Sequence, residues 1–270
     1  MRLECGQIAV VTGAASGIGY GLCEGLARRG VAVVLADVDD TSLKDAEAGL
    51  GSFGVPTMSA AVDVTSYEQV ERLATSVFER FGRVDLLCNN AGVTSKYAPA
   101  WEFDLAIWRW MIDVNLWGVI YGIRAFVPQM VRQGFGHVLN TASMAGICTI
   151  PLNGPYNAAK HAVVSITETL AGDFAEFAPN LGATVLCPGP TRTRLMSEGS
   201  RWRPSDVTPD KEVGEAPRFS REPAFTLDVP ESVEATLSAI ERNQLHIAPN
   251  VGSRDRVLSR IEPLLLEVDH

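Results

Sequence analysis

The 270-residue sequence is short of basic charge, of paired cysteines and of long apolar runs, and each shortage closes off a class of protein. Lys and Arg number 23 against 32 Asp and Glu, a formal net charge of -9. Nucleic-acid binders carry a basic face, so no nucleic-acid partner is expected. The five cysteines, Cys5, Cys23, Cys88, Cys148 and Cys187, are odd in number and widely spaced, with no CxxC. Neither a disulfide framework nor a metal site is expected from them. Cys88 and Cys187 lie in apolar runs and read as buried thiols. No apolar run reaches the ~18 residues of a bilayer-spanning helix, so no membrane association is expected. The opening MRLECGQIAVVTG runs straight into a strand without a signal-peptide pattern, which points to a reducing cytoplasm.

What is present is an alternation. Short apolar runs at Gln7–Thr12, Val31–Ala36, Pro56–Ala61, Val84–Cys88, Gly136–Thr141, Ala183–Cys187 and Leu245–Ala248 read as strands. Helical patterns stand between them, among them Ile18–Arg29, Ser66–Phe81, a long segment Asp104–Arg132 and one running through Tyr156 to Phe177. Strands alternating with helices predict an α/β fold: one domain over residues 1–270, a doubly wound parallel sheet of about seven strands with helices on both faces. The segment from about 192 to 227 is polar and rich in Pro and Arg, and reads as a substrate lid on that domain.

Between the first strand and first helix lies Thr12-Gly13-Ala14-Ala15-Ser16-Gly17-Ile18-Gly19. Its GxxxGxG spacing is one residue longer in the turn than the usual dinucleotide fingerprint, but the logic is the same. Glycines let the backbone approach a pyrophosphate, and the helix N-terminus offers free amides. Gly13, Ser16, Gly17, Ile18 and Gly19 are therefore cofactor-lining candidates. Asp37 closes the second strand, where a carboxylate accepts both ribose hydroxyls of NAD and repels a 2′-phosphate. The following Val38, Asp39 and Asp40 include no cation, which favours NAD over NADP. Asp63 and Val64 at the third strand exit are expected near the adenine, with Asn90, Ala91 and Gly92 running along the cofactor.

Ser143 ends an apolar run, and Tyr156 and Lys160 follow at i, i+4 spacing. On a helix the two share a face. A cation beside a phenol favours the phenolate, and a serine at a strand tip can hold a carbonyl oxygen.

Taken in order, TGAASGIG (12–19), Asp37, Asp63, NNAG (89–92), Asn115, Ser143, YNAAK (156–160) and PGPTRT (188–193) make the sequence resemble the short-chain dehydrogenases/reductases. The resemblance implies that Tyr156 is the general acid/base. Lys160 then lowers the Tyr156 pKa and binds the nicotinamide ribose, and Ser143 holds the substrate oxygen. Asn115 is implied to distort its helix and to hold a water linking Lys160 to solvent. Pro188, Gly189, Thr191 and Thr193 fall on the nicotinamide side, although PGPTRT departs from the family's more usual PGxVxT. The long segment with Trp101, Trp108, Trp110 and Trp117 is apolar nearly all round, which calls for cover beyond its own sheet. The resemblance implies the same, a homodimer or homotetramer.

Ala145, Asn153 and Met196 are candidates for the substrate side, with Leu195 and Trp202 on the lid. They suggest an apolar or aromatic alcohol or ketone, whereas Arg192, Arg194 and RWRP (201–204) suit a carboxylate or phosphate if they are more than solvated charges. The function expected is NAD-dependent interconversion of a secondary alcohol and its ketone. The alternatives are an NADPH-dependent carbonyl or acyl-chain ketoreductase and a dinucleotide-sensing protein without turnover.

Overall fold

The computed structural model describes residues 1–195, 201–203 and 223–268. Seven parallel strands form one sheet in the order β3-β2-β1-β4-β5-β6-β7. They are β1 (Ile8–Thr12), β2 (Ala32–Asp37), β3 (Thr57–Ala61), β4 (Leu86–Asn89), β5 (Gly136–Thr141), β6 (Leu181–Leu186) and β7 (His246–Ile247). The chain moves outward from β1 to β3 and then returns to place β4 on the other side of β1. That reversal opens a crevice at the carboxyl ends of β1 and β4, where doubly wound sheets bind ligands.

The strands are apolar because both faces are covered. Val11, Val33, Leu35, Leu86 and Leu139 belong to one core, under α1 (Gly17–Ala27) and α7 (Val229–Glu241). Val10, Val34, Leu87 and Val138 belong to the other, under α3 (Tyr67–Phe81) and α5 (Gly118–Gln133). Each fully buried Leu or Val contributes about 1.5–3 kcal/mol. The helix starts and stops follow local chemistry. Ser66 accepts from the Gln69 amide to cap α3, and Gly82, in the left-handed region, ends it. Asp39 caps α2 (Asp40–Leu50) through Ser42.

The segment 104–132, expected as one helix, is two. α4 (Leu105–Ile112) and α5 are joined by a π turn, Asp113–Trp117. Asn115 sits in that turn, and its Nδ2 donates to the Met111 carbonyl at 2.9 Å. A side-chain amide thereby enters the backbone ladder where the helix widens, and such turns gather at functional sites. Trp101, Leu105 and Trp117 are 83%, 68% and 43% exposed, so the sheet does not absorb all the apolar surface of this stretch.

The long α6 (Gly154–Phe177) carries Tyr156 and Lys160, and α8 (Ser253–Val268) ends the described chain. All five cysteines are free, and only Cys5 is exposed. No described helix is long and apolar enough to cross a membrane.

Candidate active site

A cavity of about 300 Å3 runs along the strand ends, within the size range of small-molecule and cofactor sites. Gly13, Ser16, Gly17, Ile18 and Gly19 line it at the β1–α1 turn. Gly13 has φ +64, and a Cβ there would stand 2.8 Å from the Ala91 Cα. Ser16 makes no side-chain cap to α1, which leaves the amides of its first turn for a ligand. The turn therefore fits a pyrophosphate, which needs close backbone approach and free amides.

Asp37 stands on the wall of the same cavity with Val38. Its oxygens accept from the Ala15 amide at 2.9 Å and the Asp39 amide at 3.1 Å, which hold the carboxylate at the strand end. Asp39, not Asp37, caps α2, so the Asp37 carboxylate faces the crevice without a helix to serve. Arg201 approaches Asp39 at 3.8 Å. Asp63, Val64 and Thr65 are further wall residues, and Asp63 is fixed by accepting from the Thr65 amide and hydroxyl.

The β4 exit is held by Thr12. Its hydroxyl oxygen accepts from the amides of Asn90 (2.9 Å) and Ala91 (3.1 Å), while Asn90 Nδ2 donates to the Thr12 carbonyl at 3.0 Å. Asn90, Ala91 and Gly92 thus form one flank of the cavity. Asn115 is fully buried and bonds both backbone groups of Val93, accepting from its amide at 3.2 Å and donating to its carbonyl at 3.0 Å. A Cβ on Gly92 would lie 3.0 Å from Asn115 Oδ1 and 3.5 Å from Lys160 Nζ, so these two polar groups flank the same glycine.

Tyr156 and Lys160 face the cavity from α6. Lys160 is buried, and its Nζ donates to the Thr141 carbonyl at 2.9 Å. It lies 5.7 Å from the centre of the Tyr156 ring. Burial lowers Lys160 to about 8. Tyr156 keeps part of its surface open to the cavity, yet crowding around it pushes its pKa up to about 12, against a smaller lowering by a hydrogen bond with Ser143. The phenol is thus less acidic than usual, the reverse of the lowering that the resemblance implies for Lys160. The physical cause is that both groups lie where water is scarce, and each resists charge.

Ser143 is not itself on the cavity wall but reaches it through Tyr156. Its Oγ accepts from the Ala145 amide at 3.1 Å. Pro188 and Thr193 line the cavity; Gly189 and Thr191 stand back from it. Gly189 donates its amide to Asn250 Oδ1 at 2.7 Å, and Asn250 Nδ2 bonds the carbonyls of Pro190 and Phe225, so one asparagine braces the loop. Ala145 and Asn153 are buried and off the wall. Asn153 Oδ1 has no hydrogen-bond partner among the described residues. Met196 lies outside the described residues, as does most of the segment 192–227. Trp110, Val114 and Thr141 line the cavity unannounced by any motif, whereas Arg194 was a candidate for an anionic group and Leu195 and Trp202 were lid candidates. No cluster of metal-ligating side chains occurs among the described residues.

A family model described as short chain dehydrogenase matches residues 7–204. The 1-deoxy-11-beta-hydroxypentalenate dehydrogenase of Streptomyces exfoliatus is 39% identical over 192 residues, covering 70% of this chain and 69% of that protein. Levodione reductase of Leifsonia aquatica is 31% identical over 252 residues, covering 88% of this chain and 94% of that one. Among solved structures, a short chain dehydrogenase/reductase from Burkholderia phymatum in complex with NAD matches with a TM-score of 0.89 at 34% identity, covering 99% of this chain and 97% of that one. An alcohol dehydrogenase from Thermococcus sibiricus complexed with 5-hydroxy-NADP matches with a TM-score of 0.74 at 28% identity, covering 90% and 96%.

Proposed function

Since the chain belongs to the short-chain dehydrogenase/reductase family of oxidoreductases that use a nicotinamide dinucleotide, we propose that it interconverts a secondary alcohol and its ketone with NAD, Tyr156 serving as general acid/base. One observation carries the reading: a single cavity joins the Asp37 carboxylate to the Tyr156–Lys160 pair. The bound nicotinamide supplies hydride acceptance and delivery. The glycine turn and α1 amides hold the pyrophosphate, and Asp37 holds the adenosine ribose. Tyr156 takes the alcohol proton in oxidation and returns it in reduction. Ser143, hydrogen-bonded to Tyr156, stabilises charge on the substrate oxygen. Lys160 supplies the nearby cation and bonds the nicotinamide ribose, with Asn115 beside it on the route to solvent. Pro188, Gly189, Thr191 and Thr193 form the nicotinamide-side loop.

Trp110, Val114, Leu195 and Trp202 give the open part of the cavity an apolar and aromatic wall, which favours an apolar or aromatic substrate. Ala145, Asn153 and Met196 belong to that side in this reading, and the segment 192–227 acts as its lid on a single domain. The similar 1-deoxy-11-beta-hydroxypentalenate dehydrogenase and levodione reductase support a hydroxyl or keto group as the reacting centre. The exposed Trp101, Leu105 and Trp117 suit burial against a second copy in a homodimer or homotetramer.

A second reading is an NADPH-dependent ketoreductase. It is favoured by Arg201, a cation 3.8 Å from Asp39 at the ribose end. A panel of alcohols and ketones, followed by absorbance of the reduced cofactor with NAD and with NADP, tests both. The NAD reading expects turnover of an apolar or aromatic secondary alcohol with a clear preference for NAD. A preference for NADP supports the second reading, and no turnover of any alcohol or ketone defeats both.

A further inference from the structure

The loop between Ser143 and Tyr156 is tied to α6 from one side and to α8 from the other. On the α6 side, Asn157 Oδ1 accepts from the Ile150 amide at 3.2 Å, and its Nδ2 donates to the Ile150 carbonyl at 2.7 Å. On the α8 side, Arg260 Nη1 donates to the Ile147 carbonyl. The same nitrogen lies 3.0 Å from His161 Nε2, and His161 Nδ1 lies 2.9 Å from the Asn157 carbonyl. A carbonyl only accepts, so Nδ1 carries the proton and Nε2 offers its lone pair to the guanidinium. The contacts close a ring that runs from Ile147 through Arg260, His161 and Asn157 back to Ile150.

This ring borders the proton-transfer pair. His161 follows Lys160 in sequence, and Gly146 packs so tightly on Lys160 that a Cβ there would stand 2.5 Å from its carbonyl oxygen. Ser143 and Tyr156 sit at the two ends of the loop that the ring fixes. A planar guanidinium carries several N–H groups in a rigid fork and can serve a carbonyl and an imidazole together. Besides this contact, α8 is held by Val257, which packs against the core around Cys148 and Cys187, and Ser253 is its one buried residue among those described.

We propose that Arg260 is a positioning residue for Tyr156 and Ser143: it clamps residues 144–150 to α6 and so sets the Ser143 hydroxyl against the Tyr156 phenol. The role rests on the reading of Tyr156 as acid/base. Arg260 lies outside the stretch 7–204 that the family model matches, so the device belongs to this chain's C-terminal helix.

The test compares Arg260→Leu, Arg260→Lys and the unaltered enzyme on an alcohol identified in the panel. Misplacing groups by fractions of an ångström costs rate, so Arg260→Leu is expected to lower kcat on the order of ten-fold. NAD affinity and Tm are expected to hold, and Arg260→Lys, with one donor for two acceptors, to fall between. Amide hydrogen exchange across 144–150 reads the clamp without any turnover and is expected to quicken in Arg260→Leu. An unchanged kcat overturns the proposal even if exchange quickens. So does a loss of kcat accompanied by equal losses of NAD affinity and Tm, the mark of general unfolding. Tyr156→Phe is the control: if it leaves turnover intact, the acid/base reading fails, while the exchange rates still decide whether Arg260 clamps the loop.

Discussion

Lys160 Nζ lies 5.7 Å from the centre of the Tyr156 ring and donates a hydrogen bond to the Thr141 carbonyl at 2.9 Å. Burial holds Tyr156 near 12 and Lys160 near 8, so the phenol stays protonated at neutral pH. A phenol in that state needs more positive charge beside it, or more hydrogen bonding to its oxygen, before it serves as a base.

The buried ammonium has a measurable cost. Lys160 titrates near 8 when folded, below its ordinary 10.5, so the unfolded chain binds more protons between those values. The penalty is full below about pH 8 and fades as pH rises toward 10.5. Lys160→Met is accordingly expected to be more stable than the parent by about 2 kcal/mol near pH 7, a gap that closes by about pH 10, while turnover is lost. Denaturant unfolding of both proteins at the two pH values checks this. A less stable variant near pH 7 contradicts it.

His137 makes the opposite end of the sheet acid-sensitive. Thr184 Oγ1 donates to the Gln244 carbonyl at 2.8 Å, so at 2.8 Å from His137 Nε2 it must accept, and Nε2 carries a proton. Burial lowers its pKa from 6.5 to about 3. Stability is then complete above about 6.5 and falls as pH drops toward 3, by up to ~1.4 kcal/mol per pH unit. His137→Gln keeps a donor without the titration. Its Tm is expected to fall less than the parent's between about pH 7 and pH 5; equal falls contradict the assignment.

Asp37→Ser removes the ribose acceptor and the charge that repels a 2′-phosphate. The KM for NAD is expected to rise on the order of ten-fold or more, with the preference over NADP narrowing. Initial rates with both cofactors measure it. Equal use of NAD and NADP by the unaltered enzyme sinks the claim for NAD.

Gly13→Ala places a Cβ 2.8 Å from the Ala91 Cα at a φ of +64. The strain is expected to cost about 1–3 kcal/mol and to weaken NAD binding more than it weakens the fold. Titration of cofactor fluorescence beside a melting curve separates the two effects. Unaltered binding shows that the turn does not meet the cofactor.

Most of the sheet was legible because its strands are short apolar runs buried on both faces, a pattern set by local composition. The first helix boundary and the caps at Ser66 and Gly82 are equally local. The break at Asp113–Trp117 is invisible to periodicity, since DVNLW reads as continuous helix until the Asn115 amide meets the Met111 and Val93 carbonyls; only the family resemblance, which implies that Asn115 distorts its helix, points to it. In the site, Gly13, Asp37, Asn90, Tyr156 and Lys160 fall on one cavity because their motifs end strands or begin helices. Trp110 and Val114 carry no motif and reach the cavity only through the folding of α4 and the π turn after it over the strand ends. Asn250 and Arg260 act on loops 60 and 113 residues away in sequence, and no spacing announces contacts of that range.

The most direct test of the whole account is Tyr156→Phe, which removes one hydroxyl from a residue that keeps its ring packing. With an alcohol from the panel and saturating NAD, kcat is expected to fall by roughly a hundred- to ten-thousand-fold. Titrated NAD affinity and Tm are expected to match the parent. A variant that oxidises the same alcohol at the parental rate contradicts the assignment of Tyr156 as the acid/base.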